Sequence, residues 1–265
     1  MNIVLTGGHT GIGLELLKWL IADGHGVVLV LRNRERAAVL PKGLHGHAQI
    51  QFAYGDLSER DDIARLGRDI ARLFPHVDAL FNNAGVLLDG LYTSPQGNEL
   101  HLEVNALAPY HLTQSLTPLL AAAPDGLVVN TSTNGLAGRS GPELGMLLRP
   151  TSFRKLFGQY MQSKYALLLL MNYVAAHESR FRIVNANPGP NRSKMTAGSG
   201  MPAWLRPLSR LFFPKPSKGA GLLYEAAFGT ARGTAWGTGL YLDGGRVRAV
   251  RGVLTERQAA ALLAR

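Results

Sequence analysis

The chain predicts an α/β fold, a doubly wound parallel sheet with helices on both faces, because strand-like apolar runs alternate with helical patterns from end to end. Several strand runs are continuous Val, Leu and Ile, as expected of strands buried on both faces. A glycine-rich stretch, Thr6-Gly7-Gly8-His9-Thr10-Gly11-Ile12-Gly13, separates the first strand from the first helix.

Strands are expected at 2–6, 27–32, 49–54, 77–82, 127–131, 182–187 and 239–242. Between them, helices are expected at about 12–23, 59–74, 99–120, 157–177 and 218–228. The second helix is the plainest. Ser58 stands as N-cap, Asp61 and Asp62 fall in the first turn, Ile63, Leu66, Ile70 and Leu73 form one apolar face, and Pro75 ends it. Two stretches interrupt the alternation: 134–156, rich in Gly, Arg and Pro, and 190–217, where Pro, Met, Trp and Phe mix with Arg and Lys. Long irregular segments inside a domain are commonly functional. With no repeat or linker, residues 1–265 are expected to form one domain, with 190–217 as a lid over a site.

Composition narrows the chemistry. There is no Cys, which excludes disulfides, thiolate catalysis and Cys-ligated metal, and no metal site is expected. Met1 leads straight into the first strand, so no signal peptide or membrane anchor is expected, and a cytoplasmic protein is the default reading. The net charge of +10 is uneven: residues 1–132 hold 9 basic and 13 acidic side chains (−4), and residues 133–265 hold 19 and 5 (+14). A basic half that shapes a substrate entrance attracts anions. Nucleic acid is disfavoured, since the basic residues lack interleaved stacking aromatics.

At the nucleotide end, Gly7, Gly11 and Gly13 permit a tight turn and close approach of backbone to a pyrophosphate at a helix N-terminus, with Thr10 and Ile12 in the same turn. No Gly-Lys-Ser/Thr follows, so this is not a Walker loop. The second strand closes on Leu31-Arg32-Asn33, where a fold reading NAD would place an acid for the ribose 2′-hydroxyl. A guanidinium there suits a 2′-phosphate, so NADP(H) is favoured over NAD(H), with Arg32 and Asn33 as candidate contacts. At the other end, Tyr160 and Lys164 lie four apart and so share a helix face. A neighbouring ammonium favours the phenolate, so Tyr160 is expected to exchange a proton well below its usual ~10.

Thr6–Gly13, Asn82-Asn83-Ala84-Gly85, Asn105, Thr133, Tyr160 with Lys164, and Pro188-Gly189 stand in the order that resembles the short-chain dehydrogenase/reductase family. Leu31-Arg32-Asn33, the long segment before Tyr160, and Gly239-Leu240-Tyr241-Leu242-Asp243 resemble its retinol dehydrogenase and carbonyl reductase branch. The resemblance spans essentially the whole chain. It implies a Rossmann-type, seven-stranded parallel sheet and transfer of hydride between NADP(H) and a largely apolar carbonyl or alcohol. It further implies Tyr160 as acid and base, Lys164 as its modulator and ribose contact, Asn105 as holder of a relay water, and Thr133 as the donor that polarises the carbonyl. Asp56 and Leu57 would lie by the adenine, Asn83, Ala84 and Gly85 by the adenosine ribose, and Pro188, Gly189, backbone at Asn191 and the Ser193 hydroxyl by the carboxamide. Asn82 is expected to tie strands together.

Thr133 departs from the family's usual Ser. Its hydroxyl donates to the same oxygen, while its methyl stiffens χ1 and narrows the pocket; alternation should aim Ser132 to the opposite face. That departure leaves a second possibility, a nucleotide-binding sensor or scaffold without turnover. Met195, Met201, Trp204, Leu205, Leu208, Leu211, Phe212 and Phe213 are expected to form the apolar side of the lid, the other readings being a surface helix packed on the core or a membrane-touching stretch beside Arg206, Arg210, Lys215 and Lys218. Arg192, Lys194, Arg206 and Arg210 are expected at its rim, suited to a substrate with an anionic part. Arg139, Arg149, Arg154 and Lys155 before the Tyr160 helix disfavour a tetramer interface there, so a monomer or dimer is expected.

Overall fold

A computed structural model describes residues 1–133, 143–229, 237–250 and 252–265; Arg139 and the rest of 134–142 lie outside the described residues. Its strands are β1 (Asn2–Thr6), β2 (Gly26–Leu31), β3 (Ile50–Tyr54), β4 (Ala79–Asn82), β5 (Leu127–Thr131), β6 (Arg182–Asn187), β7 (Leu240–Asp243) and β8 (Arg246–Val247). They form one sheet in the order β3-β2-β1-β4-β5-β6-β7-β8. The first seven are parallel, and β8 adds a two-residue antiparallel edge that the sequence reading did not include.

The helices are α1 (Gly11–Ala22), α2 (Arg34–Ala38), α3 (Lys42–His45), α4 (Arg60–Leu73), α5 (Leu100–Leu102), α6 (Ala108–Ala121), α7 (Leu144–Leu148), α8 (Gln159–His177), α9 (Lys194–Ala197), α10 (Leu205–Phe212), α11 (Pro216–Phe228) and α12 (Glu256–Leu263). Period-two alternation sorts the strands into two cores. Val4, Val28, Val30 and Val128 face α4, α6 and α8, whereas Ile3, Leu5, Val27, Leu29 and Val129 face α1 and α11. β1, β2, β4, β5 and β6 are therefore buried on both faces, whereas β3 and β8 at the sheet edges are partly or wholly exposed.

Two helical expectations are corrected. Glu59, not Ser58, is the N-cap of α4, because Ser58 turns its N–H and hydroxyl back onto Asp56 Oδ1 at 2.9 and 2.8 Å. Leu73 is exposed, and Phe74 closes that end of the core instead. The single helix expected at 99–120 is broken into α5, a π-helical turn at Glu103–Leu107, and α6. The π turn inserts one extra residue per turn, which re-aims the side chains around Asn105, a device common at functional sites. Asn82 ties strands as expected, donating to Asn130 Oδ1 at 2.9 Å and Thr113 Oγ1 at 3.3 Å.

Candidate active site

A cleft of about 470 Å³ opens at the carboxyl ends of β1, β4, β5 and β6, where the sheet's winding reverses. Its floor is built by Thr6. The Thr6 hydroxyl donates to Phe81 O at 3.3 Å and accepts from Asn83 N at 3.0 Å and Ala84 N at 2.9 Å. Asn83 returns Nδ2 to Thr6 O at 3.1 Å. Gly7 follows at φ +69°, and a Cβ there would meet Ala84 Cα at 2.9 Å. A Cβ on Gly13 would come within 2.5 Å of Gly7 O and Asn83 Nδ2, so α1 approaches the strand ends only because that position is bare. Thr10, the N-cap of α1, makes no side-chain capping bond, and the first turn holds no acid. Such a helix start accepts a phosphate. The cradle fits the dinucleotide that the motif order implies.

Thr6 is therefore a keystone. Thr6→Val would leave Asn83 N and Ala84 N without their buried acceptor, and is expected to lower unfolding stability by roughly 1–3 kcal/mol in urea titration.

The chemical end of the cleft is lined by Thr131, Ser132, Thr133, Tyr160, Met161 and Lys164. Lys164 is buried, and its Nζ donates to Thr131 O at 2.8 Å. Burial draws its ammonium down to about 8 and pushes the Tyr160 hydroxyl up to about 12. The expected lowering of Tyr160 is thus reversed in the protein alone. Desolvation penalises the phenolate more than a lysine one helical turn away assists it.

Asn105 sits at the centre of the π turn. Its Oδ1 accepts from Val86 N at 2.8 Å, and Nδ2 donates to Val86 O at 3.0 Å and Ser163 Oγ at 3.1 Å. Both amide hydrogens are used, so Asn105 clamps the loop after β4 to α8. A relay water there would donate to an Asn105 carbonyl oxygen, since both amide hydrogens are taken. A Cβ on Gly85 would lie 2.9 Å from Asn105 Oδ1 and 3.4 Å from Lys164 Nζ, so this glycine lets the two groups gather.

Thr133 lines the cleft, with its Oγ1 3.9 Å from Met161 Sδ. Ser132 is also among the residues on its wall, just beyond the end of β5 at Thr131. The Ser132 hydroxyl is buried and has no hydrogen-bond partner among the described residues.

Behind Tyr160 lies a polar cluster absent from the sequence reading. His101 Nδ1 meets Glu99 Oε1 at 2.7 Å, and His101 Nε2 accepts from Leu88 N at 3.0 Å. The imidazole and the Tyr160 ring meet edge to face, with centroids 6.4 Å apart. Buried Glu103 accepts from Ser94 Oγ and Asn98 Nδ2 at 2.8 and 2.7 Å. The available signal was Glu99, His101 and Glu103 spaced two apart in an otherwise apolar stretch. His9 was missed as well. It lines the cleft, and its imidazole is held below its ordinary value by burial, then by Arg36 and Lys194. Leu156, also on the wall, has φ +52°, in the left-handed region that branched side chains rarely occupy.

Arg32, Asn33, Asp56 and Leu57 do not line this cleft. Arg32 Nε pairs with Asp56 Oδ2 at 2.7 Å, Asn33 caps α2 through Arg36 N, and Leu57 packs against the core. Arg34 stacks over Tyr54 at 5.1 Å. Pro188, Gly189, Asn191 and Ser193 do line it. The Asn191 side chain is structural: Nδ2 donates to Pro188 O and Gly189 O, both at 2.9 Å, and Oδ1 accepts from Gly219 N at 3.1 Å. Ser193 Oγ accepts from Thr196 N as the N-cap of α9.

The lid expectation divides. Met195, Met201, Leu205 and Phe213 face the cleft, whereas Trp204, Leu208, Leu211 and Phe212 are exposed. Of the four basic residues expected at the rim, Lys194 alone lines the cleft. Arg206 folds onto Met201 O and Ser199 O, and Arg192 reaches Arg210 O. Among the described residues, no group of three His, Asp or Glu gathers to hold a metal, and no helix is long and apolar enough to cross a membrane.

The family model for short chain dehydrogenase matches residues 1–144. The chain is 30% identical to the Escherichia coli K12 oxidoreductase YciK over 205 residues, covering 74% of this chain and 76% of that protein. It is 29% identical to human retinol dehydrogenase 11, covering 82% and 70%. A short-chain dehydrogenase of Shigella flexneri 2a, solved in complex with NADP, superposes at a TM-score of 0.67 with 25% identity, covering 92% of this chain and 97% of that one.

Proposed function

The chain belongs to the short-chain dehydrogenase family, and from that premise we propose that it is a one-domain, NADP(H)-dependent oxidoreductase acting on a largely apolar carbonyl or alcohol. The observation that carries this is the convergence of the glycine turn of α1 with Tyr160 and Lys164 on one cleft. Gly7, Gly13 and the start of α1, braced from beneath by Thr6, would hold the dinucleotide. The nicotinamide, when bound, supplies or accepts the hydride.

The remaining chemistry belongs to side chains. Tyr160 holds the proton that a developing alkoxide takes from its hydroxyl, and a hydroxyl-bearing neighbour, Thr133 first, donates to the same oxygen. Lys164, with its pKa drawn down to about 8, remains largely an ammonium near neutrality and favours the phenolate left on Tyr160. Leu156, Met161, Met195, Met201, Leu205 and Phe213 give apolar walls that would exclude water and hold an apolar substrate. Lys194 is the rim cation on the cleft wall suited to an anionic substituent.

The test is a panel of carbonyls with NADPH and alcohols with NADP⁺, alongside titration of each nucleotide. Turnover on at least one panel is expected. Tight NADPH binding without turnover on any panel would select the sensor reading, which the Thr at position 133 favours.

Arg32 is proposed to read the 2′-phosphate from its ion pair with Asp56. Arg32→Ala should weaken NADPH by roughly one to two decades, the worth of a charge-assisted bond of about 1.5–3 kcal/mol, and NADH little. Equal affinity of the unmodified protein for both nucleotides would remove Arg32 from that role. A monomer or dimer is the proposed state, tested by light scattering.

A further inference from the structure

The outward face of α10 is built to sit on a surface. Trp204, Leu208 and Leu211 fall at i, i+4 and i+7 and form one stripe, which Phe212 extends at the helix end. They are 65%, 41%, 75% and 75% exposed. The inward positions, Leu205 and Ser209, are already satisfied by the cleft wall and by Thr196 O and Arg206 O. The outward stripe therefore contributes neither to the cleft nor to the core.

Charge decides what would cover it. Residues 191–218 contain Arg192, Lys194, Arg206, Arg210, Lys215 and Lys218 and no Asp or Glu, whereas Arg180 and Arg182 nearby are paired with Glu178 and Asp125. Arg210, Lys215 and Lys218 are exposed beside the apolar stripe. None of the three is ion-paired among the described residues, and a second copy of this chain would bring the same cations against these, which opposes a self-complementary contact. An aromatic and aliphatic stripe bordered by Arg and Lys, with Trp at its edge, matches the boundary between anionic headgroups and acyl chains.

We propose that α10 docks this protein on the surface of an anionic lipid bilayer, inserting Trp204, Leu208, Leu211 and Phe212 at the headgroup level. Met201, Leu205 and Phe213 on the same segment wall the cleft, so docking sets the mouth of the cleft beside the lipid. No spanning helix is needed.

The experiment is co-sedimentation of the full chain with vesicles of phosphatidylcholine alone or of phosphatidylcholine with phosphatidylglycerol, at low and high salt. The unmodified protein should pellet with anionic vesicles, stay in solution with neutral ones, and be released as salt rises. Leu211→Glu/Phe212→Glu should reduce the pelleted fraction at least tenfold while NADPH affinity and the thermal midpoint stay unchanged, since neither side chain is in the core or the cleft. A shift of Trp204 emission to shorter wavelength on vesicle binding, absent in Trp204→Phe, would mark insertion. Equal recovery in the supernatant with both vesicle types would overturn the proposal. So would a dimer in light scattering that the double substitution dissolves, because the face would then belong to a second copy.

Discussion

Tyr160→Phe is expected to lower kcat/KM for carbonyl reduction by roughly 10²–10⁴-fold while NADPH affinity stays nearly unchanged, because it removes one oxygen from the proton path and no apolar area. Equal loss of NADPH binding would mean that the ring hydroxyl supports the cleft rather than the reaction. The pH dependence follows from the two shifts. Tyr160, pushed up to about 12, stays protonated through the accessible range, so Lys164 at about 8 is the group whose titration the rate reports. Reduction should hold level below about pH 8 and decline above it as the ammonium is lost.

Stability runs the opposite way. The folded protein binds the Lys164 proton less tightly than the unfolded chain, whose lysine titrates near ~10.4. Folding is therefore penalised below about pH 8, and the penalty is relieved as pH rises from there towards 10.4. The thermal midpoint of Lys164→Met should lack that rise. Tyr160 acts at higher pH with opposite sign, since its proton is held more tightly when folded, so stability falls as pH passes 10 towards 12.

Thr133→Val is the second large effect. A polarising hydroxyl aimed at the developing oxyanion is worth roughly 10²–10³ in kcat, and valine keeps the shape while removing it. Thr133→Ser should retain or raise the rate, because the hydroxyl remains and the methyl goes. Ser132 is the competitor, since it stands on the same cleft wall and its buried hydroxyl has no hydrogen-bond partner among the described residues. If Thr133→Val keeps full activity, the donor is Ser132, and Ser132→Ala in that background should then abolish turnover.

How much was legible in the chain differs from element to element. The strands at 2–6, 127–131 and 182–187 could be read residue by residue, because each carries a short Ile, Val and Leu core of the kind that burial on both faces demands. The helix at 99–120 could not. Its apolar pattern fits a continuous α-helix, and the π turn depends on Asn105 bonding Val86 and Ser163, residues distant in sequence. β8 and the short helices α2, α3 and α9 carry too few residues for a period to emerge.

For the site, the sequence by itself determined which residue types meet: glycines before α1, and a tyrosine and lysine one turn apart on α8. Local backbone geometry is enough for both. Only the tertiary structure decided what those groups experience. Burial raises Tyr160 where a nearby ammonium was expected to lower it. Arg32 finds Asp56, Asn191 turns inward onto Gly219, and Glu99 and His101 close in behind Tyr160. The lid residues divide between cleft and surface for the same reason. Desolvation and long-range pairing depend on which distant segments pack together, and neither periodicity nor spacing carries that information.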